Sequence, residues 1–287
     1  MIDYKTINLG HGSGGLMTRD LLDEIIFKTF SNPYLDKKHD GSVVKIDGEI
    51  AISTDSFVIS PIFFKGGNIG ELAVNGTVND VAMCGAQPKY LSLAFIVEEG
   101  MKVDDFIKIV KSIKETADKS GVQIITGDTK VVERGKGDQI FINTTGFGPV
   151  NPKGYISADN IKVGDKIIVN GFIAQHGMAI MSQREGLEFE STIESDTTNL
   201  NFIANDLINE FGLGIHLYRD ATRGGLASVL TEIATDIKKG VSINENDLPL
   251  DKQVAAACEI LGLDPLYVAN EGVFLAIVDA EIAERVV

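Results

Sequence analysis

The stretch from Gly66 to Pro88, GGNIGELAVNGTVNDVAMCGAQP, constrains this chain more than any other. Two glycines open it, an apolar segment fills it, and Gly85 with Pro88 closes it as a helix stop would. Leu72, Ala73, Gly76, Val81 and Ala82 supply a core face, so the segment reads as one buried helix. Asn75, Thr77, Asn79 and Asp80 give it more small and polar groups than packing alone requires. Either something approaches it closely or it turns a polar face to solvent.

Ahead of it lies NLGHGSGG, Asn8 to Gly15, then a helix LMTRDLLDEIIFKTF with Leu21, Leu22, Ile25, Ile26 and Phe30 at helical spacing. Gly10, Gly12 and Gly15 satisfy GxGxxG in form. No strand-helix-strand unit surrounds them, no acidic residue ends a second strand about 20 residues on, and GK[ST] is absent, which sets aside the dinucleotide and P-loop readings. A loop closing over phosphates and a mobile N-terminal turn remain open. Strands at Ser42 to Ile46 and Ile50 to Thr54 flank Asp47-Gly48, a hairpin signal, and Asp55 follows directly as a ligand or a turn residue.

Beyond the central helix come strand Tyr90 to Val97, amphipathic helix Val103 to Ser120 capped by Gly121, and strand Val122 to Thr126. That strand runs into Gly127-Asp128-Thr129-Lys130; a further strand, Gln139 to Phe147, ends the first half. The breakers Gly148-Pro149 and Asn151-Pro152 predict a domain boundary, giving a first domain 1–150 (its residues 1–41 being the glycine loop and leading helix) and a second domain 151–287. The second half reads as strand Lys166 to Asn170, helix Ala174 to Glu185, helix Leu200 to Phe211, and DATRGGL entering a helix through Ile233. A helix Asp251 to Leu261 and strand Val273 to Val278 follow. Gly224-Gly225 allow close backbone approach at a helix start, where unpaired N–H groups favour an anion. The alternation predicts an α/β (α+β) protein of two domains.

A net charge of −15, from 26 basic against 41 acidic residues, repels phosphate backbones and argues against a nucleic-acid partner. An anionic nucleotide would need Mg²⁺ to screen it. No apolar run approaches the roughly 18 residues of a membrane span, and the N-terminus shows no signal-peptide pattern, so a cytoplasmic location is expected. Cys84 and Cys258 lack CxxC spacing and read as buried thiols. His11, His39, His176 and His216 share no metal-ligand spacing, which leaves zinc and triad chemistry without support; His176, beside Gly177, reads as a hydrogen-bonded structural residue. Asp55, Asp80 and Asp128 each stand at the end of a predicted element. If those ends converge, the three carboxylates need a cation, and oxygen ligation suits Mg²⁺ with phosphate.

Long blocks carry a resemblance that short motifs do not. TDSFVISPIFFKGGNIGELAVNGTVNDVAMCGAQPKYLSLAFIVEEG, ITGDTKVVERGKGDQIFINTTGFG, NGFIAQHGMAIMSQREGLEF and RDATRGGLASVLTEIA together resemble the HypE family of hydrogenase maturation carbamoyl dehydratases, in the aminoimidazole ribonucleotide synthetase-like superfamily. The resemblance runs from Gly10 to Val278. It implies an N-terminal domain that pairs in a homodimer through a β-barrel-like interface, a C-terminal α/β domain beside it, and ATP with Mg²⁺ as cofactors. Position by position it implies Asp55, Asp80 and Asp128 as metal and phosphate ligands, and Lys130 and Glu271 as proton-transfer groups. Asn79, Asp220, Arg223 and the loop Gly12, Gly14 and Gly15 are implied as further nucleotide-binding elements. The implied reaction is ATP-dependent dehydration of a C-terminal cysteine S-carboxamide to a thiocyanate, which supplies cyanide ligands for the iron of [NiFe]-hydrogenase. Carbamoyltransferase HypF and a HypC–HypD complex that accepts the cyanide are the implied partners. The family's chain ends in a tail whose last residue is the acceptor cysteine; this sequence stops at Val287, so the expectation is the catalytic body without that tail. Another ATP-dependent kinase or synthetase of the superfamily, and a non-catalytic docking subunit, are the alternatives.

Overall fold

The structure, a computed structural model, describes residues 4–184 and 193–287. In chain order its elements begin with α1 (Leu16–Leu21), continued by a π-type turn (Leu22–Phe27) into α2 (Lys28–Phe30). Then come β1 (Ile50–Phe57), β2 (Phe63–Phe64), β3 (Gly67–Asn68), α3 (Ile69–Met83), β4 (Tyr90–Glu98), α4 (Val103–Ser120), β5 (Gln123–Val132) and β6 (Ile140–Pro149). The remainder is β7 (Lys166–Val169), α5 (Gln175–Arg184), α6 (Asn201–Phe211), β8 (Ile215–Asp220), α7 (Gly225–Ile237), α8 (Lys252–Leu261), β9 (Phe274–Val278) and α9 (Ala283–Val286). Among the described residues no helix is long and apolar enough to cross a membrane.

Two compact units divide the chain. One holds the residues up to Phe63, Asn68–Val78 and Pro88–Pro149; the other holds Phe64–Gly67, Asn79–Gln87 and everything from Val150. The central helix of the sequence is α3, and its residues fall partly in each unit. Asn68 starts it, accepting the Gly70 N–H at 2.8 Å, and Gly85, at φ +75°, stops it.

The first unit is built on a sheet of order β1-β6-β4-β5, with β4 and β5 parallel across α4 and the other pairings antiparallel. Alternation along β4 buries Leu91, Leu93, Phe95 and Val97 on one face, and α4 contributes Phe106, Ile109, Val110 and Ile113 to the same core. Each such side chain contributes about 1.5–3 kcal/mol of transfer free energy. The small and polar residues of α3 serve this packing. Thr144 of β6 donates to the Ala73 carbonyl at 2.9 Å, its hydroxyl lies 2.6 Å from that of Thr77, and a Cβ on Gly76 would stand 2.9 Å from the Phe57 ring. On the opposite face Ile50, Ile52 and Ile96 are exposed.

Two sequence expectations fail here. Residues 42–46 form no strand: Ser42 is tied through its hydroxyl to the Ile125 carbonyl, while β1 pairs along its whole length with β6. The Asp47-Gly48 signal marks a turn, with Gly48 at φ +88°, but no hairpin. Asp55 and Asp128 also do not follow strands. They lie within β1 and β5, which run past the predicted ends because their neighbours β6 and β4 offer ladder partners there.

The second unit has the antiparallel sheet β7-β9-β8. Its middle strand β9 is buried throughout. Phe274, Ala276 and Val278 pack with Ala204 and Ile208 of α6 and with Ala82 and Met83 of α3, while Leu275 and Ile277 meet Leu226, Val229, Leu230 and Ile233 of α7. Strand β8 was absent from the sequence reading. Helix α5 falls as predicted through Arg184; its expected last residue, Glu185, lies outside the described residues. Cys258 is buried, but Cys84, expected to be so, is exposed just past the end of α3.

Candidate functional site

In the first unit the glycine loop is held by hydrogen bonds of its own. Asn8 caps a 3-10 turn over Leu9–Gly12, accepting the Gly10 N–H at 2.9 Å, while its own N–H reaches His11 Nδ1 at 3.0 Å. Gly14, at φ +85°, donates to Thr18 Oγ1 at 2.9 Å. At Gly12 only hydrogen fits, because a Cβ would stand 2.8 Å from the Val131 backbone nitrogen of β5. Between this loop, the helix behind it and β5 opens a cavity of about 270 Å³ whose wall includes Gly12, Gly14, Thr18, Gly127, Asp128 and Lys130.

Asp128 and Lys130, two apart on β5, share a face, and the lysine Nζ lies 2.8 Å from Asp128 Oδ1. Both are more than half exposed, so the pair adds little stability and its charges face the cavity mouth. Gly127 lets the two strands meet here: a Cβ would stand 2.1 Å from the Leu93 carbonyl oxygen.

The predicted convergence of Asp55 and Asp128 does not occur within the chain. They occupy opposite edge strands, β1 and β5, separated by three strand spacings or about 14 Å. Register also sets them on opposite faces, since Asp55 aligns with Thr144, Leu93 and Gly127, and Asp128 with Ala94 and Asn143. Among the described residues no three His, Cys, Asp or Glu side chains are gathered so as to hold a metal.

In the second unit, Asp80 of α3 and Asp220 at the end of β8 both act on Cys84. Partial desolvation by the surrounding protein first, although the residue is exposed overall, then these two carboxylates, push its thiol pKa up. Arg223 is exposed in the turn that follows Asp220. Gly224 and Gly225, at φ +71° and +62°, lead into α7, and a Cβ on Gly225 would stand 2.4 Å from the Leu266 carbonyl oxygen. The helix start therefore has the close backbone approach that its glycines promised.

Asn79, expected on the nucleotide, is hydrogen-bonded to backbone. Its Nδ2 donates to the carbonyls of Thr198 at 3.0 Å and Glu271 at 3.3 Å, its Oδ1 accepts the Leu200 N–H at 2.8 Å, and the residue is 1% exposed. Both amide hydrogens are spent on backbone, which makes it a clamp on the turn that carries Glu271.

That turn is held at several further points. Asn270, fully buried, accepts the Ala174 N–H at 2.7 Å and donates to the carbonyls of Ala221 at 2.7 Å and Val268 at 3.2 Å. Asn170 accepts from Phe274 N–H and donates to the Gly272 carbonyl. Asp196 Oδ1 accepts the Glu271 N–H at 3.1 Å; burial raises the Asp196 pKa while the backbone N–H groups of Glu271 and Gly272 oppose the rise. His176 is buried and hydrogen-bonded, Nδ1 to Ser195 Oγ at 2.8 Å, as its sequence context suggested. Its pKa falls to about 4, chiefly through burial and secondarily through Arg184. Sequence reasoning missed Asp196 and Asn170, which lie 75 to 104 positions from the residues that they hold, and Ser195, 19 positions from His176.

The model of the AIR synthase related protein N-terminal domain matches residues 38–150, and that of the corresponding C-terminal domain matches residues 162–287. The carbamoyl dehydratase HypE of Bradyrhizobium diazoefficiens is 47% identical over 281 residues, covering 98% of this chain and 81% of that protein. A crystal structure of hydrogenase maturation protein HypE in complex with ATP superposes with a TM-score of 0.95 at 45% identity, covering 98% of this chain and 84% of that one. A HypE–HypF complex structure matches with a TM-score of 0.81 at 45% identity, over 93% of this chain and 86% of that one.

Proposed function

The chain belongs to the HypE family of AIR synthase related proteins, and on that premise we propose that it is an ATP-dependent carbamoyl dehydratase. The observation that carries this is the 47% identity, over nearly the whole chain, to a carbamoyl dehydratase. The substrate is a cysteine S-carboxamide and the product a thiocyanate. The carboxamide oxygen takes the γ-phosphoryl group of ATP; phosphate then leaves with that oxygen as both N–H protons are removed and the C–N bond becomes triple. One ATP becomes ADP and phosphate for each nitrile formed.

Lys130 stands at the cavity mouth beside the glycine loop, where its charge suits a phosphoryl group in transfer. Gly12 and Gly14 line that cavity, and with Gly15 they are proposed for the phosphates; Asp220, Arg223 and the α7 start are proposed for the nucleotide. Glu271, on its clamped turn, takes a proton from the carboxamide nitrogen. Mg²⁺ fits a donor set of exposed or half-buried carboxylates, because it retains phosphate oxygens and water as most of its ligands. Asp55, Asp80 and Asp128 are the carboxylates proposed for it, and because Asp55 and Asp128 stand on opposite edges and faces of one sheet, the two would not share one ion within a single chain; bound there, it would neutralise charge on the phosphates.

The sheet of the first unit supports a homodimer. Its β1 and β5 are the edge strands, and the exposed face carries Ile50, Ile52 and Ile96. Closing β1 of one copy against β5 of another would form a β-barrel-like interface. HypF as carbamoyl donor and a HypC–HypD complex as cyanide acceptor complete the proposed assembly, which works in the cytoplasm. The test is ADP release with a peptide ending in S-carbamoylated cysteine. Stimulation by this peptide, and not by its unmodified form, is expected; equal rates with both would overturn the reading.

A further inference from the structure

The same geometry reaches a residue that the sequence treats as merely structural. His176 opens α5, and the helix start is pressed against the chain leading into the Glu271 turn. Gly177 donates its N–H to the Ala269 carbonyl at 2.9 Å, and a Cβ there would stand 2.5 Å from a Val268 methyl. Ala174, a non-glycine at φ +71°, is fixed in the left-handed region by its hydrogen bond to Asn270. The result is that His176 Nε2 stands 4.0 Å from Glu271 Oε1, with both side chains largely buried. A small rotation closes that gap to a hydrogen bond, as catalytic contacts do on ligand binding.

Ser195 Oγ accepts the Thr197 N–H at 3.2 Å, so its hydroxyl hydrogen is available to His176 Nδ1 at 2.8 Å. With Nδ1 accepting, the neutral ring carries its hydrogen on Nε2, towards the Glu271 carboxylate. Phe64 packs edge-on against the ring at 5.7 Å and restrains its plane. Among the described residues, the charged groups that bear on this pair include Arg184, Asp196 and Glu271 itself.

We infer that His176 is a positioning residue for Glu271: a Thr197–Ser195–His176 relay aims one Nε2–H donor at the carboxylate and fixes its orientation on the clamped turn. The inference rests on the reading of Glu271 as the proton acceptor. It predicts that a neutral histidine, rather than a second titrating base, accompanies Glu271 through the reaction.

Two measurements on the whole chain test it. In ring ¹⁵N spectra, His176 should be neutral and protonated at Nε2 at pH 7. Ser195→Ala should degrade that tautomer preference, and Glu271→Gln should shift the Nε2 resonance. In turnover with ATP and an S-carbamoylated cysteine peptide, His176→Ala should lower kcat roughly tenfold or more, with KM for ATP within about twofold. Ser195→Ala, which spares the core, should lower kcat in the same direction, and His176→Gln, which keeps a donor, should recover part of the loss. An Nδ1-protonated or charged His176 at pH 7 overturns the inference. So does full turnover in His176→Ala and Ser195→Ala while Glu271→Gln is inactive. Full turnover in Glu271→Gln instead removes the assignment of Glu271 as base, and the inference with it.

Discussion

Replacing Asn79 distinguishes a clamp from a nucleotide ligand. Asn79→Ala removes three hydrogen bonds, to Thr198, Leu200 and Glu271, worth about 1 kcal/mol each, and leaves the buried Leu200 N–H unpaired at a further cost of about 1–3 kcal/mol. The expected loss is about 4–6 kcal/mol, a large share of the roughly 5–15 kcal/mol typical of a folded protein. Asn79→Asp keeps the Leu200 bond but turns a carboxylate oxygen towards two carbonyls. Its pKa is therefore raised in the folded state, and its deficit should grow as pH rises through the carboxylate range and narrow as pH falls. Urea unfolding at several pH values, with wild type alongside, gives both numbers, and ATP calorimetry on the folded variants gives the third. A stability change below about 1 kcal/mol in Asn79→Ala, joined to a large loss of ATP affinity, would refute the clamp.

Other consequences are as direct. His176 has a folded pKa of about 4 against 6.5, so the stability it confers as a neutral group is present above pH 6.5 and lost as pH falls towards 4; about 3 kcal/mol is at stake, and His176→Gln should flatten that stretch of the stability-against-pH curve. Asp128→Asn breaks only an exposed ion pair, so it should change the unfolding midpoint by less than about 1 kcal/mol equivalent while weakening Mg²⁺-dependent ATP binding in calorimetry. Gly225→Ala meets both a positive φ and the Leu266 carbonyl oxygen, and should cost more than the roughly 1 kcal/mol of a strained turn alone, as thermal unfolding would measure. Gly14→Ala, where φ is positive but the space open, sets the comparison.

Periodicity and caps made the helices legible. The bounds of α4 follow from its apolar stripe and Gly121, and α3 was readable from its glycine and proline ends. Strand β8 was not, because Ile215, His216, Leu217 and Tyr218 are all buried and show no alternation. The ends of β1 and β5 were missed for the opposite reason. Polar residues such as Asp55 and Asp128 read as turn chemistry, yet a sheet edge tolerates them inside a strand. At the site, the polarity of α3 was visible while its use was not: Thr77 answers Thr144, and Asn79 answers backbone more than a hundred residues away. Edge position in a sheet, which separates Asp55 from Asp128, is a property of strand order and leaves no local mark in sequence.

The central claim concerns the fate of the carboxamide. The direct measurement is the intact mass of a peptide ending in S-carbamoylated cysteine after incubation with this protein, Mg²⁺ and ATP. The account predicts a peptide lighter by one water, with one ADP formed per nitrile, and no such product without ATP or with Glu271→Gln. A peptide left unchanged at saturating concentration while ATP is hydrolysed would contradict it.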